Sequence, residues 1–179
     1  MKDIDQVKTL LQKEVNTIPA SLFCGDKGMN EYNYKLIILG DPKAQGRHRT
    51  YTKGKGGRLL PYPIQVDPSA KDKSNLRAIV QDQAPEKLLD CPLRVDLYFY
   101  MPRPKGHYGT GKNAEKLKSS SPINHTKRPD IDNLRKLVMD ALTNVFWRDD
   151  SLVCEGLTRK IYSDNPRTEI YIKVLGKDK

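Results

Sequence analysis

The chain has 179 residues, a net charge of +10 and 37% hydrophobic residues. These values predict one domain with at most a small appendage. The charge predicts an anionic partner, either a nucleic acid or a membrane surface. No window approaches the roughly 18 apolar residues of a membrane helix, and the N-terminus lacks the apolar core of a signal peptide. Cys24, Cys91 and Cys154 are far apart and form no C-x-x-C pair. They argue against a zinc site or a disulfide framework, favour the cytoplasm and are expected to be buried small apolar residues.

The first half of the chain predicts two helices and one strand. Residues 3–15 carry apolar side chains at helical spacing. Residues 16–33 have no clear period and are interpreted as a linker. Residues 34–39 form a short apolar run ended by Gly-Asp-Pro, which predicts a strand. A basic loop containing several glycines follows at 41–60, and a second helix is predicted over residues 69–83.

The second half predicts a strand, a helix and two further strands. Residues 93–101 alternate apolar and polar side chains, which is the strongest strand signal in the chain. Residues 102–126 are polar and rich in Lys, Gly and Ser, so we expect them to be mobile without a ligand. Residues 132–143 carry an apolar stripe typical of an amphipathic helix, capped by Asp132 or Asn133. Strands at 152–162 and 168–175 follow, joined by a hairpin turn.

Excess positive charge is concentrated in two segments. Residues 41–60 carry six basic residues and one acid, and residues 102–128 carry seven basic residues and one acid. The remainder of the chain is therefore about neutral. Because a solvated surface would spread its charge more evenly, we interpret both segments as loops that bind a nucleic-acid backbone. The residues expected to contact DNA are Lys43, Arg47, Arg49, Lys53, Lys55, Arg58, Arg103, Lys105, Lys127 and Arg128.

Carboxylates cluster just after the second basic segment. The cluster contains Asp130, Asp132, Asp140, Asp149 and Asp150, together with Lys136. In an extended chain the first two would point the same way while Ile131 pointed into the core. Carboxylates beside basic loops suit Mg²⁺, which can activate a water and neutralise charge on a phosphate. A lysine one helical turn away can stabilise the transition state, and Asp149 or Asp150 can supply a third acid.

Four of these five acids also have a structural explanation. Asp132 can be a helix cap, or it can form an ordinary surface pair with Lys136. Asp140 on a polar helix face is expected to be structural, and the Asp149-Asp150 pair can form a turn. Two residues near the cluster are also expected to be structural: we interpret His125 as a solvated loop histidine and Trp147 as a residue that packs into the core or an interface.

Three segments together resemble the RusA family of Holliday-junction resolvases. They are Pro129-Asp-Ile-Asp-Asn-Leu-Arg-Lys136, Asp140-Ala-Leu142 and Phe146-Trp-x-Asp-Asp150. A weaker similarity lies in the segment at 40–49, where His48 replaces the usual proline. The resemblance runs from about residue 34 to the C-terminus, so residues 1–33 are expected to be a separate N-terminal helix and linker without an assigned role.

The resemblance implies a homodimeric endodeoxyribonuclease that cuts four-way DNA junctions in recombination and repair. It also implies Mg²⁺ as cofactor, with Mn²⁺ able to substitute. Asp130, Asp132 and Asp150 match the metal-binding acids, and Lys136 matches the catalytic lysine. The implied fold is α+β, a single mixed sheet packed by helices.

Two other functions are compatible with the residues. The long loops are compatible with a less selective nuclease for branched DNA. A nucleic-acid-binding protein without catalysis is also possible if the acids are only caps and turns. Intact acids near basic loops count against the latter, because a protein that only binds DNA gains nothing from acids facing phosphate.

Overall fold

The computed structural model describes residues 32–54 and 56–176, which belong to one compact unit. The helix predicted over residues 3–15, most of the predicted linker, Cys24 and Lys55 lie outside the described residues. In chain order the elements are β1 (Tyr34–Leu39), β2 (Arg49–Lys53), β3 (Leu59–Val66), α1 (Ala70–Val80), β4 (Leu93–Pro102), α2 (Ile131–Leu142), β5 (Val153–Glu155), β6 (Thr158–Ser163) and β7 (Arg167–Val174).

The main sheet is mixed. Strand β7 lies between β1 and β4 and is antiparallel to both, whereas β5 and β6 pair in succession with the other edge of β4 and run parallel to it. Parallel neighbours need a long crossover, and the chain between β4 and β5 supplies it with α2. Five strands packed by two helices confirm an α+β fold with a mixed main sheet.

Strands β6 and β7 do not form the predicted hairpin. Both pair with β4, on opposite sides of it, so the central strand separates two strands that are adjacent in sequence. The turn between them therefore crosses the end of β4. The hairpin prediction was wrong because a turn signal shows where the chain reverses and not which strand it pairs with.

A second, two-stranded sheet replaces the predicted basic loop. Strands β2 and β3 form an antiparallel ribbon within the segment expected to be irregular, with a register shift between Tyr51 and Lys53. The prediction of a single sheet was therefore incomplete. Leu59, Pro61 and Pro63 broke the alternation that would have marked β3 as a strand.

The core lies between the main sheet and the helices. The predicted apolar face of β4, from Leu93 to Met101, is almost fully buried, as is the predicted stripe of α2. Leu76 and Val80 contribute the buried side of α1. Trp147 is completely buried, which confirms its assignment to the core.

The opposite face of β4 is polar yet largely buried. Asp96 is only 1% exposed, and it accepts hydrogen bonds from Arg94, from the Leu157 amide at 2.7 Å and from the Tyr32 hydroxyl. Burial opposes its ionisation, but the hydrogen bonds, led by Arg94, outweigh burial and lower the pKa of Asp96. Tyr32 falls within the predicted linker, but this contact attaches it to the sheet.

A second buried carboxylate, Glu169, lies on the same polar face. It accepts from Arg167 at 2.6 Å and from the Tyr171 hydroxyl at 2.9 Å. Burial, followed by the Glu169 charge, raises the pKa of Tyr100 to about 12. Paired buried acids of this kind stabilise the sheet and are not available as metal ligands.

The long loop at 103–126, which is expected to be mobile without a ligand, folds back on itself. Its amides form local bonds, including Gly109 N to Lys116 O at 2.9 Å and Lys118 N to His107 O at 3.0 Å. The Tyr108 hydroxyl also donates to Asp164. The loop therefore has a defined conformation over the end of β6.

Two remaining expectations concern the membrane and the cysteines. Within the described part of the chain, no helix is long and apolar enough to cross a membrane. Cys91 is half-buried and Cys154 is exposed, and neither forms a disulfide. The expected burial was wrong for Cys154, which lies on the short edge strand β5.

Candidate active site

The acidic site begins where α2 begins. The helix starts at Ile131, with Asp130 in extended conformation at the N-cap position and Asp132 in the first turn. Ile131 is 41% exposed and does not point into the core as predicted. The prediction assumed a strand at this point, but the helix starts one residue earlier and turns Ile131 outward.

An open cleft of about 540 Å³ lies beside this helix start. Residues 124–132 form one wall, and the first four residues of β6 form the other. The side chains on the first wall include Asp130, Asp132, Lys127 and Arg128, all of them predicted site residues. A strongly basic cleft with two carboxylates suits a phosphate bound through a divalent cation.

Lys160 anchors the acidic wall of the cleft to β6. Its ammonium group donates to the carbonyl oxygens of Lys127 at 2.8 Å and Pro129 at 2.6 Å. The His125 amide donates to the Lys160 carbonyl at 3.1 Å, so the backbone and side chain of one residue hold both ends of the segment. Because Asp130 directly follows Pro129, this anchor sets the position of its carboxylate.

The five clustered aspartates differ in whether their carboxylates have hydrogen-bond partners in the described part of the protein. Asp140 accepts from Lys73 at 2.8 Å, as its structural assignment predicts. Asp149 accepts from the Ser151 amide at 2.9 Å and caps a short 3₁₀ turn. Hydrogen bonding to Ser151, through its side chain first and its backbone amide second, lowers the pKa of Asp149.

The other three acids are exposed and engage no described residue. Asp130 occupies a cap position but makes no capping bond, and Asp132 forms no ion pair with Lys136 among the described residues. The cap and surface-pair explanations therefore fail for Asp132, which lies in the first turn of α2 and not at the cap position. Asp150 begins the turn before β5, also without a partner in the described chain.

The cleft does not bring every predicted site residue together. Lys136 lies one turn farther along α2 than Asp132, and neither it nor Asp150 lines the cleft. Within residues 32–54 and 56–176, no group of three or more His, Cys, Asp or Glu residues is placed to hold a metal. Two carboxylates remain, which fits Mg²⁺, since that ion is commonly held by one or two carboxylates with waters and substrate phosphates.

His125 lines the cleft but is not the solvated loop residue that was expected. It is only 9% exposed and packs on Tyr162 with ring centroids 4.5 Å apart. Burial, followed by the positive charge of Lys160, lowers the pKa of His125 from its usual 6.5. The imidazole is therefore neutral at pH 7.

The first basic segment passes close to the start of α2. The Gln45 amide donates to the carbonyl of Asn133, the residue after Asp132, at 2.8 Å. Lys43 and Arg47, two residues to either side of Gln45, are exposed. The remaining predicted DNA contacts in this segment follow on the ribbon, and those described are exposed: Arg49, Lys53 and Arg58.

Arg103, one of the predicted DNA contacts, is engaged by neighbouring protein groups. Its side chain is 9% exposed and lies 3.4 Å from Asp164. It also donates to the carbonyls of Pro122 and Tyr162 and stacks over the Tyr162 ring. Arg103 thus holds the long loop onto β6, whereas Lys105 beside it is exposed.

Arg159 and Lys160 were missed by sequence reasoning. Both line the cleft, but they sit inside a strand that the sequence places after the acidic cluster. The sequence does not mark two adjacent basic residues in a strand as site residues, because the register of the strand decides which of them faces the site.

Comparison with known proteins shows the family of the chain. Residues 40–173 match the family described as Endodeoxyribonuclease RusA. The chain is also similar to the uncharacterized protein YqaN of Bacillus subtilis (strain 168), with 31% identity over 142 residues, which cover 78% of this chain and 94% of that protein. The matched range includes the cleft, α2 and every strand of the main sheet except β1, with β7 matched as far as residue 173. The chain belongs to the RusA endodeoxyribonuclease family.

Proposed function

We propose that this protein is a Mg²⁺-dependent endonuclease that resolves four-way DNA junctions with paired nicks as a homodimer in the cytoplasm. The observation that carries the proposal is a pair of carboxylates, Asp130 and Asp132, that have no partner among the described residues and lie in a cleft that four lysine and arginine residues also line. Like charges so near each other at a helix start gain from a bound cation, and the surrounding basic residues attract the DNA backbone.

The chain's own residues can bind and orient a scissile phosphate. Lys127, Arg128 and Arg159 offer donors to phosphate oxygens, and the first free amides of α2 offer more. Asp130 and Asp132 are proposed to hold Mg²⁺, with Mn²⁺ as a substitute. The bound ion would lower the pKa of a water and neutralise charge on the phosphate.

Lys136 and Asp150 are proposed to act from outside the cleft lining. Lys136 lies one turn after Asp132 on the same face of α2 and can reach a phosphate bound over the helix. Its positive charge would then offset the negative charge that develops on the leaving oxygen. Asp150 is proposed as a third metal ligand, which is supported by its exposed carboxylate, without a partner in the part of the chain that the structure describes. Its contribution is tested separately from that of the two acids in the cleft.

Paired cuts follow from symmetry. A four-way junction has two-fold character, and two opposed nicks require two active sites related by a two-fold axis. One chain provides one acidic cleft within its described residues, so a homodimer supplies the second. Sedimentation of the protein alone tests this directly, and a monomer that still makes paired cuts would contradict it.

The function is tested with a labelled four-way junction and a linear duplex of matched sequence, each with and without Mg²⁺. The wild type should cut only the junction, only with metal and at symmetric positions. Asp130→Asn should abolish cutting while still binding, and Asp149→Asn, the matched control, should cut normally because asparagine also caps a turn.

Other outcomes identify the alternatives. Equal cutting of the junction and the duplex would indicate a less selective nuclease. Tight binding without cutting, in Mg²⁺ and in Mn²⁺ and on junctions with both fixed and mobile centres, would indicate a protein that only binds DNA. Normal cutting by Asp130→Asn would show that the site assignment is wrong.

A further inference from the structure

The ribbon of β2 and β3 carries an apolar surface that is exposed to solvent. Tyr51 is 46% exposed and Tyr62 is 70% exposed, and Leu59, Ile64 and Val66 are also exposed. A two-stranded ribbon is marginally stable by itself and gains nothing from aromatic side chains in water. Exposed apolar surface of this kind marks an interaction site.

The register places the apolar side chains on one face. Tyr51 pairs with Ile64, and Arg49 pairs with Val66. Tyr62 lies two residues before Ile64 on β3, at the register shift between Tyr51 and Lys53, and alternation along β3 itself places its side chain on this face. One face of the ribbon thus presents two tyrosines, two aliphatic residues and an arginine.

The charge of the ribbon limits its partner. Between Asp41 and Asp67 the chain has no acidic residue, and Arg49, Lys53 and Arg58 on the ribbon are exposed. A second copy of this face would bring like charges together, which is unfavourable. A polyanion with flat apolar groups is the complementary partner, and unpaired bases in DNA have that chemistry.

The base of the ribbon is fixed to the body of the protein. The Gly46 amide donates to Ser69 Oγ at 2.7 Å, and a Cβ at Gly46 would come within 2.7 Å of the Pro68 ring. On the other side Asp67 accepts from the Ser69 amide at 2.8 Å and from Lys73 at 2.8 Å. The ribbon therefore projects from a rigid base that also contacts the start of α2 through Gln45.

We propose that the Tyr51–Tyr62 face of the ribbon binds unstacked bases at the centre of branched DNA. The tyrosine rings stack on bases that have lost their neighbours, while Arg49 and the other ribbon cations contact the adjacent phosphates. This inference rests on the proposed function, and it gives that function a means of distinguishing a branch point from plain duplex. It assigns selectivity to the ribbon and leaves the chemistry to the acidic cleft.

The test uses Tyr51→Ala/Tyr62→Ala and, as the matched control, Tyr51→Phe/Tyr62→Phe, which keeps both rings. Leu117→Ala changes an exposed apolar residue outside the ribbon and is a second control. Binding is measured to a four-way junction, a gapped duplex and a linear duplex, with 2-aminopurine at the branch point or in the gap. Circular dichroism checks that each variant is folded.

The alanine variant should bind the junction and the gapped duplex at least about tenfold more weakly, since stacking on one base contributes roughly 1–3 kcal/mol. It should lose the 2-aminopurine signal and keep its affinity for linear duplex. Both controls should resemble the wild type. Wild-type junction affinity in the alanine variant would overturn the proposal, as would a shift from dimer to monomer in sedimentation, which would make the face a contact between subunits.

The same measurements separate this inference from the proposed function. If the wild type cuts junctions and the alanine variant binds and cuts them equally well, the ribbon proposal fails and the function stands. If the wild type cuts no junction but binds gapped DNA in a way that depends on the two rings, the function fails and the ribbon proposal stands. If the wild type binds neither, both fail.

Discussion

Replacing Lys160 with methionine tests whether the anchor of the acidic wall positions a metal ligand. The change removes hydrogen bonds of 2.8 Å to Lys127 O and 2.6 Å to Pro129 O. A hydrogen bond from a charged donor contributes about 1.5–3 kcal/mol, and more is lost when the acceptor is buried. Both carbonyls lie near solvent, so we expect a total loss of about 2 kcal/mol in the ordering of this segment.

A loss of that size has a defined effect on metal binding. If the two hydrogen bonds of Lys160 serve to hold Asp130 in place, the loss of about 2 kcal/mol corresponds to a roughly 30-fold weaker metal affinity. This lies within the range of about 10–100-fold found for residues that orient metal ligands. Saturating Mg²⁺ should largely restore the rate of cleavage, because the ligands themselves are intact.

Mn²⁺ binding to the free protein, followed by electron paramagnetic resonance, measures this without DNA or turnover. The Mg²⁺ concentration for half-maximal cleavage gives a second value. Lys160→Arg should retain most of the affinity, because it keeps a charged donor. Lys118→Met is the matched control, since Lys118 also donates to a backbone carbonyl, that of Gly106, at 2.8 Å but outside the cleft.

One pattern of results would refute the reasoning. In that pattern, Lys160→Met binds Mn²⁺ with the affinity of the wild type, whereas Asp130→Asn no longer binds it. The anchor would then stabilise the fold without positioning the ligand. A fall in melting temperature shared by Lys160→Met and Lys118→Met, with no change in metal affinity, would have the same meaning.

Three further variants test the fold and the cleft. Gly156→Ala should reduce the free energy of unfolding by more than about 4 kcal/mol, since its Cβ would lie 2.1 Å from a carbonyl oxygen of β4. Near-normal stability in urea would show that the chain at residue 156 can move away from β4. Lys73→Met should cost about 2 kcal/mol by removing the 2.8 Å bond between α1 and Asp140, and an unchanged urea midpoint would contradict this. Because the pKa of His125 is lowered from 6.5 in the folded protein, this residue favours folding above pH 6.5, and that contribution is lost as the pH falls through the lowered value. The wild type should therefore lose more stability between about pH 8 and about pH 5 than His125→Gln, and equal losses would exclude the effect.

The carboxylates show where local sequence reasoning stops. Their density within a basic chain predicts a metal site, but each acid also allows a cap, a surface pair or a turn. Only the packed structure shows that Asp140 binds Lys73 and Asp149 binds a backbone amide, while Asp130 and Asp132 remain open in a cleft. Partners distant in sequence make that distinction, and local spacing carries no information about them.

The main elements could be predicted because their periods are strong. Strand β4 alternates over its whole length and α2 has an apolar stripe over three turns, so burial of one face accounts for both. The ribbon of β2 and β3 escaped prediction because it buries neither face and because Leu59, Pro61 and Pro63 interrupt the alternation of β3.

Strand pairing and the second wall of the cleft depend on tertiary structure. The separation of β6 from β7 by β4 brings Lys160 beside residues 127–129, and no local pattern encodes that placement. Hydrophobic period and charge density are properties of neighbouring residues and can be read along the chain. Sheet order, and with it the cleft, arises from contacts between residues far apart in sequence, which the amino-acid pattern alone does not reveal.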